Sequence, residues 1–235
     1  MPVFAYRKPR DLPSTLPVFP LDGALLLPRA NLPLNIFEPR YLNMIDDALA
    51  GPRLIGMIQT RPAPADAPAQ GAADPEQAAE PGPVTVRPAL QDVGCAGRLT
   101  GFSETSDGRY LISLTGICRF HVDHEIDADT PYRQVRADYD PFMVDFAEEA
   151  LDPTFAREEL LEALRAFLTA QNLAADWSSM QDAPTEALVN SLAMACPFEF
   201  EEKQALLEAG ALDERCEILL TLLRLRAAGP AGGAA

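Results

Sequence analysis

Apolar residues alternate with polar ones in several short stretches of the first 140 residues, as Leu32, Leu34 and Ile36 show most clearly. A period of two places alternate side chains on one face of a β-strand. Strands are predicted at 32–36, 54–59, 84–90, 94–102, 109–115, 117–122 and 135–139. Ser-Asp-Gly at 106–108 predicts a hairpin turn, and Gly116 predicts a bulge. Because Pro and Gly separate so many short strands, a small barrel or folded sheet is favoured over a parallel sheet.

A helical period appears once among these strands and then throughout the chain beyond residue 146. The first helix is predicted from Pro39, which suits the first helical position, to Gly51, which is placed to end it. Further helices are predicted at 152–168, 184–195, 201–208 and 213–226. The pattern therefore predicts an α+β fold in which a β domain precedes a small helical bundle.

Composition divides the chain into a β domain at 14–144, a helical subdomain at 145–226 and a disordered tail at 227–235. Within the β domain, residues 61–83 are nearly all Ala, Pro, Gly, Asp, Glu and Gln. Such a segment has too little apolar surface to offset the entropy of ordering. We therefore predict a flexible insert between two strands.

The net charge of −16 disfavours a nucleic-acid partner, because an acidic surface repels phosphate backbones. No apolar run approaches the roughly 20 residues that cross a bilayer, and no secretory signal follows Met1. These features predict a cytoplasmic protein. Four cysteines without CxxC spacing are expected to be reduced and buried in the core.

Catalytic motifs are missing from the sequence: it contains no Walker phosphate loop, GxGxxG, GxSxG or HExxH pattern. A Ser–Lys dyad needs a buried lysine, whereas Lys8 lies near the terminus and Lys203 is expected on a solvated helix face. His121 and His124 lie near several carboxylates but are expected on opposite faces of a strand. We therefore expect no catalytic residues, no metal site and no cofactor.

Three blocks of sequence, in order, resemble the amino-terminal domain of Lon proteases. The blocks are Leu16-Pro17-Val18-Phe19-Pro20-Leu21 with Leu32-Pro33-Leu34-Asn35-Ile36-Phe37-Glu38-Pro39-Arg40-Tyr41, then Gly116-Ile117-Cys118-Arg119-Phe120, and Glu202-Lys203-Gln204-Ala205-Leu206-Leu207-Glu208. The resemblance implies a PUA-like β pseudo-barrel followed by a small helical bundle. It also implies a substrate-binding domain that stands alone, without the ATPase and peptidase of a complete Lon protease.

The leading functional hypothesis is a non-catalytic module that binds unfolded or hydrophobic polypeptide segments, as an adaptor or holdase in protein quality control. The candidate peptide-binding residues are Leu34, Ile36, Phe37, Tyr41, Phe142, Met143 and Phe146. Met and aromatic side chains adapt to varied ligands, although residues such as the last three more often join two subdomains.

Two other hypotheses remain open. One is a small-molecule sensor or enzyme with a cleft between the β domain and the bundle, which would show a deep pocket with convergent polar groups. The other is a scaffold that associates with a second copy or with a full-length Lon protease.

Overall fold

A computed structural model describes residues 6–61, 87–147, 157–173 and 177–228. The predicted flexible insert at 61–83 lies outside these ranges except for Arg61. The predicted tail at 227–235 likewise lies outside them except for Ala227 and Ala228. Of the predicted strand at 84–90 only residues 87–90 are described, and Leu90 forms a single bridge with Thr60 rather than a strand.

The described residues of the β domain form six strands, and the predicted hairpin is confirmed. The strands are β1 (Thr15–Pro20), β2 (Asn31–Ile36), β3 (Leu54–Ile58), β4 (Val93–Glu104), β5 (Tyr110–Ile126) and β6 (Arg133–Asp138). The long strands β4 and β5 join through a turn in which Gly108 has a φ of +80°, a conformation that glycine adopts without steric cost. The sheet order is β2-β5-β4-β3-β1-β6.

A bulge in β5 lets one strand serve two parts of the sheet. Ala96 pairs with Cys118 and Gly97 with Gly116, so Ile117 is the extra residue of β5. A bulge bends the strand and increases its twist. Beyond it, β5 pairs with β6, which also pairs with β1, and the ring β5-β4-β3-β1-β6 closes. The strands predicted at 109–115 and 117–122 are therefore one bent strand, and β2 extends the sheet outside the ring.

Gly116 lies where the β domain is most tightly packed. Its N–H donates to the carbonyl of Ala30, and its own carbonyl accepts from the N–H of Arg29, each at 2.9 Å. A Cβ at this position would lie 2.0 Å from the carbonyl oxygen of Leu27, a backbone atom. The bulge therefore requires a residue without a side chain.

Replacing Gly116 by alanine is expected to lower the free energy of unfolding by about 3 kcal/mol, at the upper end of the range for overpacked cores. Urea unfolding measures this loss. Gly210→Ala is the matched control, because there the nearest atom to a new Cβ is the Glu214 carboxylate, which can move. A loss at Gly116 no larger than at Gly210 would contradict the described packing.

The helix α1 (Pro39–Ala50) confirms the predicted element and lies against the sheet. Its first residue is Pro39, whose missing N–H would have no partner in the first turn. The buried side chains of Tyr41, Met44, Ile45 and Ala48 recur at helical spacing and join the larger hydrophobic core. The helix thus covers the face of the sheet that carries Ile36 and Ile112.

A hydrogen bond ties α1 to the start of β6. The Tyr132 hydroxyl donates to Oδ2 of Asp47 at 2.7 Å. Burial, followed by this bond to a carboxylate, raises the pKa of Tyr132 to about 12. An unfolded tyrosine loses its proton near pH 10, so the folded state binds more protons than the unfolded state between these values.

Stability is therefore expected to fall as the pH rises from about 10 to about 12, and the Tyr132→Phe variant should show a shallower fall. Urea unfolding of both proteins at several pH values from 8 to 11.5 measures the two slopes. Because Asp47 is exposed, water can replace the lost bond, so the variant is expected to keep near-normal stability at pH 8. Equal alkaline slopes for the two proteins would contradict the raised pKa.

The helical bundle follows the β domain and confirms the predicted α+β architecture. Its helices are α2 (Arg157–Ala170), α3 (Trp177–Asp182), α4 (Thr185–Ala195), α5 (Phe200–Glu208) and α6 (Leu212–Ala227). Helix α3 was not predicted, because six residues are too few to establish a period. None of the described helices is long and apolar enough to cross a membrane.

A hydrophobic core extends across both parts of the fold. A single buried cluster runs from Met44 and Ile45 of α1 through Leu114 of β5 to Leu164 of α2 and Leu219 of α6. A second cluster, which includes Leu16 and Phe120, fills the inside of the closed ring. All four cysteine thiols are buried, as predicted.

Polar side chains from the bundle also reach into the β domain. Lys203 was predicted on a solvated helix face, but it is only 8% exposed, and its ammonium donates to the carbonyl of Gly23 at 2.6 Å. Gln204 accepts a bond from the side chain of Gln59 at 2.9 Å and donates to the carbonyl of Val93. The prediction for Lys203 is therefore wrong, because this face of α5 packs on the sheet.

Candidate binding surface

Three large apolar side chains are exposed near one end of the sheet: Phe37 at 62%, Phe102 at 45% and Leu111 at 47%. Phe37 follows directly after β2, Phe102 lies near the end of β4, and Leu111 lies near the start of β5. With Pro33 and Leu34 of β2 they form what we call the β2–β5 surface. A cluster of exposed apolar groups on a folded protein often marks a site of interaction.

The strand register distributes these side chains over both faces of the sheet. Leu34, Ile112 and Phe102 lie side by side on the face that α1 covers, where the Phe102 ring meets Tyr110 edge-on at 5.0 Å. Leu111 lies on the opposite face, in line with Asn35 of β2 and a serine of β4. Residues directly opposite on neighbouring strands share a face, so apolar groups are accessible from two sides.

A shallow groove of about 500 Å³ runs along this part of the sheet, between Pro33 and Leu111, with Gly101 among its lining residues. A Cβ on Gly101 would lie 3.2 Å from the Cβ and Oγ of Ser113. Glycine therefore keeps the groove open. Its size and its apolar rim suit an extended chain with bulky side chains better than a compact metabolite.

Within the described residues, β2 pairs only with β5, so its other edge is open. Pro33 has no N–H and pairs with Ser113 inside the ladder. Proline in an edge strand removes a donor that a further strand would need. A ligand on this edge would consequently depend on side-chain contacts more than on main-chain pairing.

The first group of sequence-predicted residues divides between core and surface. Ile36 is 1% exposed and Tyr41 is 7% exposed, and both belong to the larger core. The Tyr41 ring packs against Phe19 with 4.3 Å between centroids. Leu34 is partly buried at the groove, and Phe37 is open to solvent. Leu34 and Phe37 thus lie on the β2–β5 surface.

The second group lies in the 3-10 segment Asp140–Phe146, which packs on β5 beyond the bulge. Phe142 is partly buried against both cores, and the Arg119 guanidinium lies over its ring at 4.8 Å. Phe146 is partly buried against the second core, while Met143 is 53% exposed. From Ile112 to Cys118 along β5 is about 20 Å at 3.3 Å per residue, so the two groups do not form one surface.

Phe102 and Leu111 were not among the candidate binding residues predicted from the sequence, although the pattern around each of them indicates exposure. Leu111 is the apolar residue out of phase with Tyr110 and Ile112, so a strict alternation places it on the solvent face. Phe102 precedes the polar run 103–109 of the hairpin. An apolar residue at a position where the pattern requires a polar one is the signal that identifies this surface.

The cleft between the β domain and the bundle has a volume of about 630 Å³ and is lined by Arg29, Glu186, Asn190 and others. Its charged groups bond to one another: Arg29 Nε donates to Glu186 at 2.8 Å, and Arg29 Nη1 donates to the carbonyl of Asp145 at 2.5 Å. Asn190 donates to the carbonyl of Pro28 and accepts from Arg215. These bonds join the two parts of the fold.

Comparison with known proteins identifies the family. The family model described as the ATP-dependent protease La (LON) substrate-binding domain matches residues 15–224. The Lon protease of Anaeromyxobacter dehalogenans strain 2CP-C is 29% identical over 223 residues, which cover 91% of this chain and 23% of that protein. Lon protease 2 of Myxococcus xanthus is 27% identical over 224 residues, covering 91% and 24%. The chain thus spans about a quarter of the length of these relatives.

Solved structures support the same fold. The Lon N-terminal domain protein from Xanthomonas campestris superposes with a TM-score of 0.54 at 21% identity, covering 88% of this chain and 97% of that one. The N-terminal domain of the Mycobacterium avium complex Lon protease gives a TM-score of 0.53 at 13% identity, covering 92% and 98%. With the family model matching nearly the whole chain, this protein belongs to the Lon substrate-binding domain family.

Proposed function

We propose that this chain is a polypeptide-binding module that recognises exposed apolar segments of unfolded proteins through the β2–β5 surface. The observation that carries the proposal is the exposure of Phe37, Phe102 and Leu111 near one end of a rigid sheet. Membership of a family named for substrate binding supports it. An adaptor or a holdase needs this kind of binding and no chemistry.

The energetics of such a surface fit a weak, promiscuous binder. Fully burying one Phe or Leu side chain is worth about 1.5–3 kcal/mol. Association loses several kcal/mol of translational and rotational freedom. Three half-exposed side chains supply only about 2–5 kcal/mol when buried, less than the roughly 8 kcal/mol of a micromolar Kd. Contacts along the groove and with the backbone of the bound segment must therefore supply the rest, and weak binding of many sequences is expected.

The thiols of the chain favour binding over covalent chemistry. Burial raises the pKa of Cys196 to about 11, and burial also raises the pKa of Cys95 and Cys118 well above the usual range. A thiol is nucleophilic as the thiolate, so burial and the raised pKa values both disfavour nucleophilic chemistry at Cys95, Cys118 and Cys196. They are core residues, in agreement with their positions in the sheet and at the end of α4.

Titration of a fluorescein-labelled, reduced and carboxymethylated model protein, followed by anisotropy, tests the proposal. Saturable binding with a micromolar Kd is expected, and the folded, disulfide-intact form of the same model protein should bind at least tenfold more weakly. Equal affinity for the folded and unfolded forms, or no binding at 100 μM, would overturn the proposal.

Association with a second copy or with a full-length Lon protease is a separate proposal, and the same surface could mediate either contact. Light scattering over a range of concentrations tests self-association. Co-purification with a tagged Lon protease tests the second partner. If the unfolded protein displaces either partner, the β2–β5 surface is shared; if both bind together, the partner uses another face.

A further inference from the structure

A small pocket of about 220 Å³ lies where α1 begins. The first residues of α1 follow closely after Phe37 of the β2–β5 surface in the sequence. Arginine side chains contribute three of its lining residues: Arg40, Arg87 and Arg133. Tyr41 and Tyr132 complete much of the wall. Three arginines around one small pocket are unexpected in a chain whose net charge is −16.

One of these arginines is fixed in place by its own bonds. Arg133 donates Nε and Nη2 to the Glu125 carboxylate at 2.8 and 2.5 Å, and Nη1 to the carbonyl of Pro88 at 2.8 Å. Its side chain is only 12% exposed. Arg133 is therefore held in the wall with its charge paired to Glu125 and its three donor nitrogens engaged.

Other donors at the pocket remain open. Arg40 donates hydrogen bonds from Nε and Nη2 to the Glu38 carboxylate, at 2.9 and 2.7 Å. Its Nη1 has no acceptor in the described part of the chain. Within the same residues, neither the Arg87 guanidinium nor the Tyr41 hydroxyl has a hydrogen-bond partner, although the Arg87 charge lies close enough to Glu125 to help Arg133 lower the pKa of that carboxyl. The acidic lining residue, Asp22, already accepts bonds from the N–H and hydroxyl of Thr60.

A pocket with open donors and an occupied acceptor suits an anion. Arginine binds carboxylates well because its planar fork of N–H groups matches the two oxygens. Arg87 offers such a fork here, and Arg40 adds its Nη1 group. The first turn of α1 also contributes the positive end of the helix dipole. The pocket is small, and the overall negative charge repels polyanions. These properties together favour a single carboxylate over a phosphate chain.

We propose that this pocket binds the C-terminal carboxylate of a polypeptide whose preceding apolar side chains lie on the β2–β5 surface. The inference rests on the proposed function and adds a preference for chain ends. Phe37 precedes Arg40 by three residues, so their Cα atoms lie within about 11 Å of each other at the β2–α1 junction. A C-terminal segment ending in apolar residues would contact both.

Calorimetric titration with a 12-residue peptide that ends in Leu-Phe tests the inference, using the free acid and the C-terminal amide. Amidation is expected to weaken binding about tenfold, as loss of a charge-assisted hydrogen bond does. The double variant Arg40→Gln with Arg87→Gln should bind the free acid as weakly as the amide and bind the amide as the unaltered protein does. Arg224→Gln is the matched control, because Arg224 is 55% exposed and paired with Glu159, much as Arg40 is 54% exposed and paired with Glu38.

The outcomes separate this inference from the proposed function. Equal binding of acid and amide would overturn the carboxylate site and leave polypeptide binding intact. Failure of both peptides and of the unfolded model protein would overturn both proposals. Competition with sodium acetate and sodium phosphate at equal ionic strength tests the anion: phosphate displacing the free acid at far lower concentration than acetate would overturn the choice of carboxylate.

Discussion

Replacing Arg119 by alanine is expected to lower the free energy of unfolding by about 3–5 kcal/mol, the range measured when one partner of a buried ion pair is removed. Arg119 is 0% exposed, and its guanidinium donates to both oxygens of Asp145, at 2.8 Å from Nη2 to Oδ1 and 3.0 Å from Nε to Oδ2. The variant leaves the Asp145 carboxylate buried with less than its full set of donors, which is the source of the loss.

Arg119, although it lies in β5, also caps the C-terminal end of helix α5. Its guanidinium donates to the carbonyls of Leu207, Ala209 and Gly210, at and just after the end of α5. The last carbonyls of a helix have no partner within the helix, and here a side chain of the sheet supplies one. The same arginine therefore joins β5, the connecting segment and the bundle, so its loss should weaken the whole fold.

Urea unfolding of Arg119→Ala and of Arg224→Ala measures this difference. Arg224 pairs with Glu159, but both side chains are about half exposed, and such surface pairs contribute at most about 1 kcal/mol. A loss below about 1 kcal/mol at Arg119 would contradict the described burial. Two separate unfolding transitions in the variant would show that the arginine holds together parts that are otherwise stable.

The second prediction with a large expected effect concerns the affinity for unfolded protein. The double variant Phe37→Ser with Leu111→Ser is expected to weaken binding of unfolded protein at least tenfold. Both side chains are exposed, at 62% and 47%, so their loss removes contact area from the ligand while leaving the core intact. Anisotropy titration with the labelled unfolded protein measures the change, and urea unfolding establishes that the fold is kept.

A matched double variant on the bundle separates this surface from general hydrophobicity. Leu173 and Leu225 are 48% and 62% exposed, which resembles the pair on the sheet. Leu173→Ser with Leu225→Ser is expected to bind unfolded protein as the unaltered chain does. An equal loss in both double variants would mean that binding is nonspecific, and a loss in the bundle variant alone would move the site there.

The hydrophobic pattern predicted most of the elements because many of them bury a single face, although β3 is buried on both. The helix from Pro39 and the strands on both sides of Gly116 follow directly from periods of 3.6 and 2. The closure of the sheet into a ring could not be predicted from these hydrophobic periods. It depends on the bulge at Ile117, which bends β5 so that it pairs with β2 before the bend and with β6 beyond it, while β4 pairs with β5 on both sides of the bend.

The candidate site was harder to predict than the fold, because exposure depends on what packs over a strand. Four of the predicted residues lie close together in sequence: Leu34, Ile36, Phe37 and Tyr41. The packing of α1 on the sheet nevertheless buries Ile36 and Tyr41 and leaves Phe37 exposed. Lys203 shows the opposite error: a charged residue in an acidic helix reads as solvated, but its ammonium reaches a carbonyl of the β domain.

The three sequence blocks that resemble Lon domains lie at different places in the structure. Arg119 in the second block and Lys203 and Gln204 in the third connect the sheet to the bundle. In the first block, Phe37 lies on the apolar surface and Arg40 lines the pocket at the start of α1. The later blocks therefore hold the fold together, and the first carries the residues that we propose for binding.

Hydrogen exchange of the purified protein, with and without saturating reduced unfolded protein, tests polypeptide binding at the β2–β5 surface most directly. Amides at 31–37 and 101–113 are expected to exchange more slowly in the complex, while those of α2 and α6 should not change. An exchange map that stays the same at saturation, or protection confined to the helical bundle, would contradict binding at this surface.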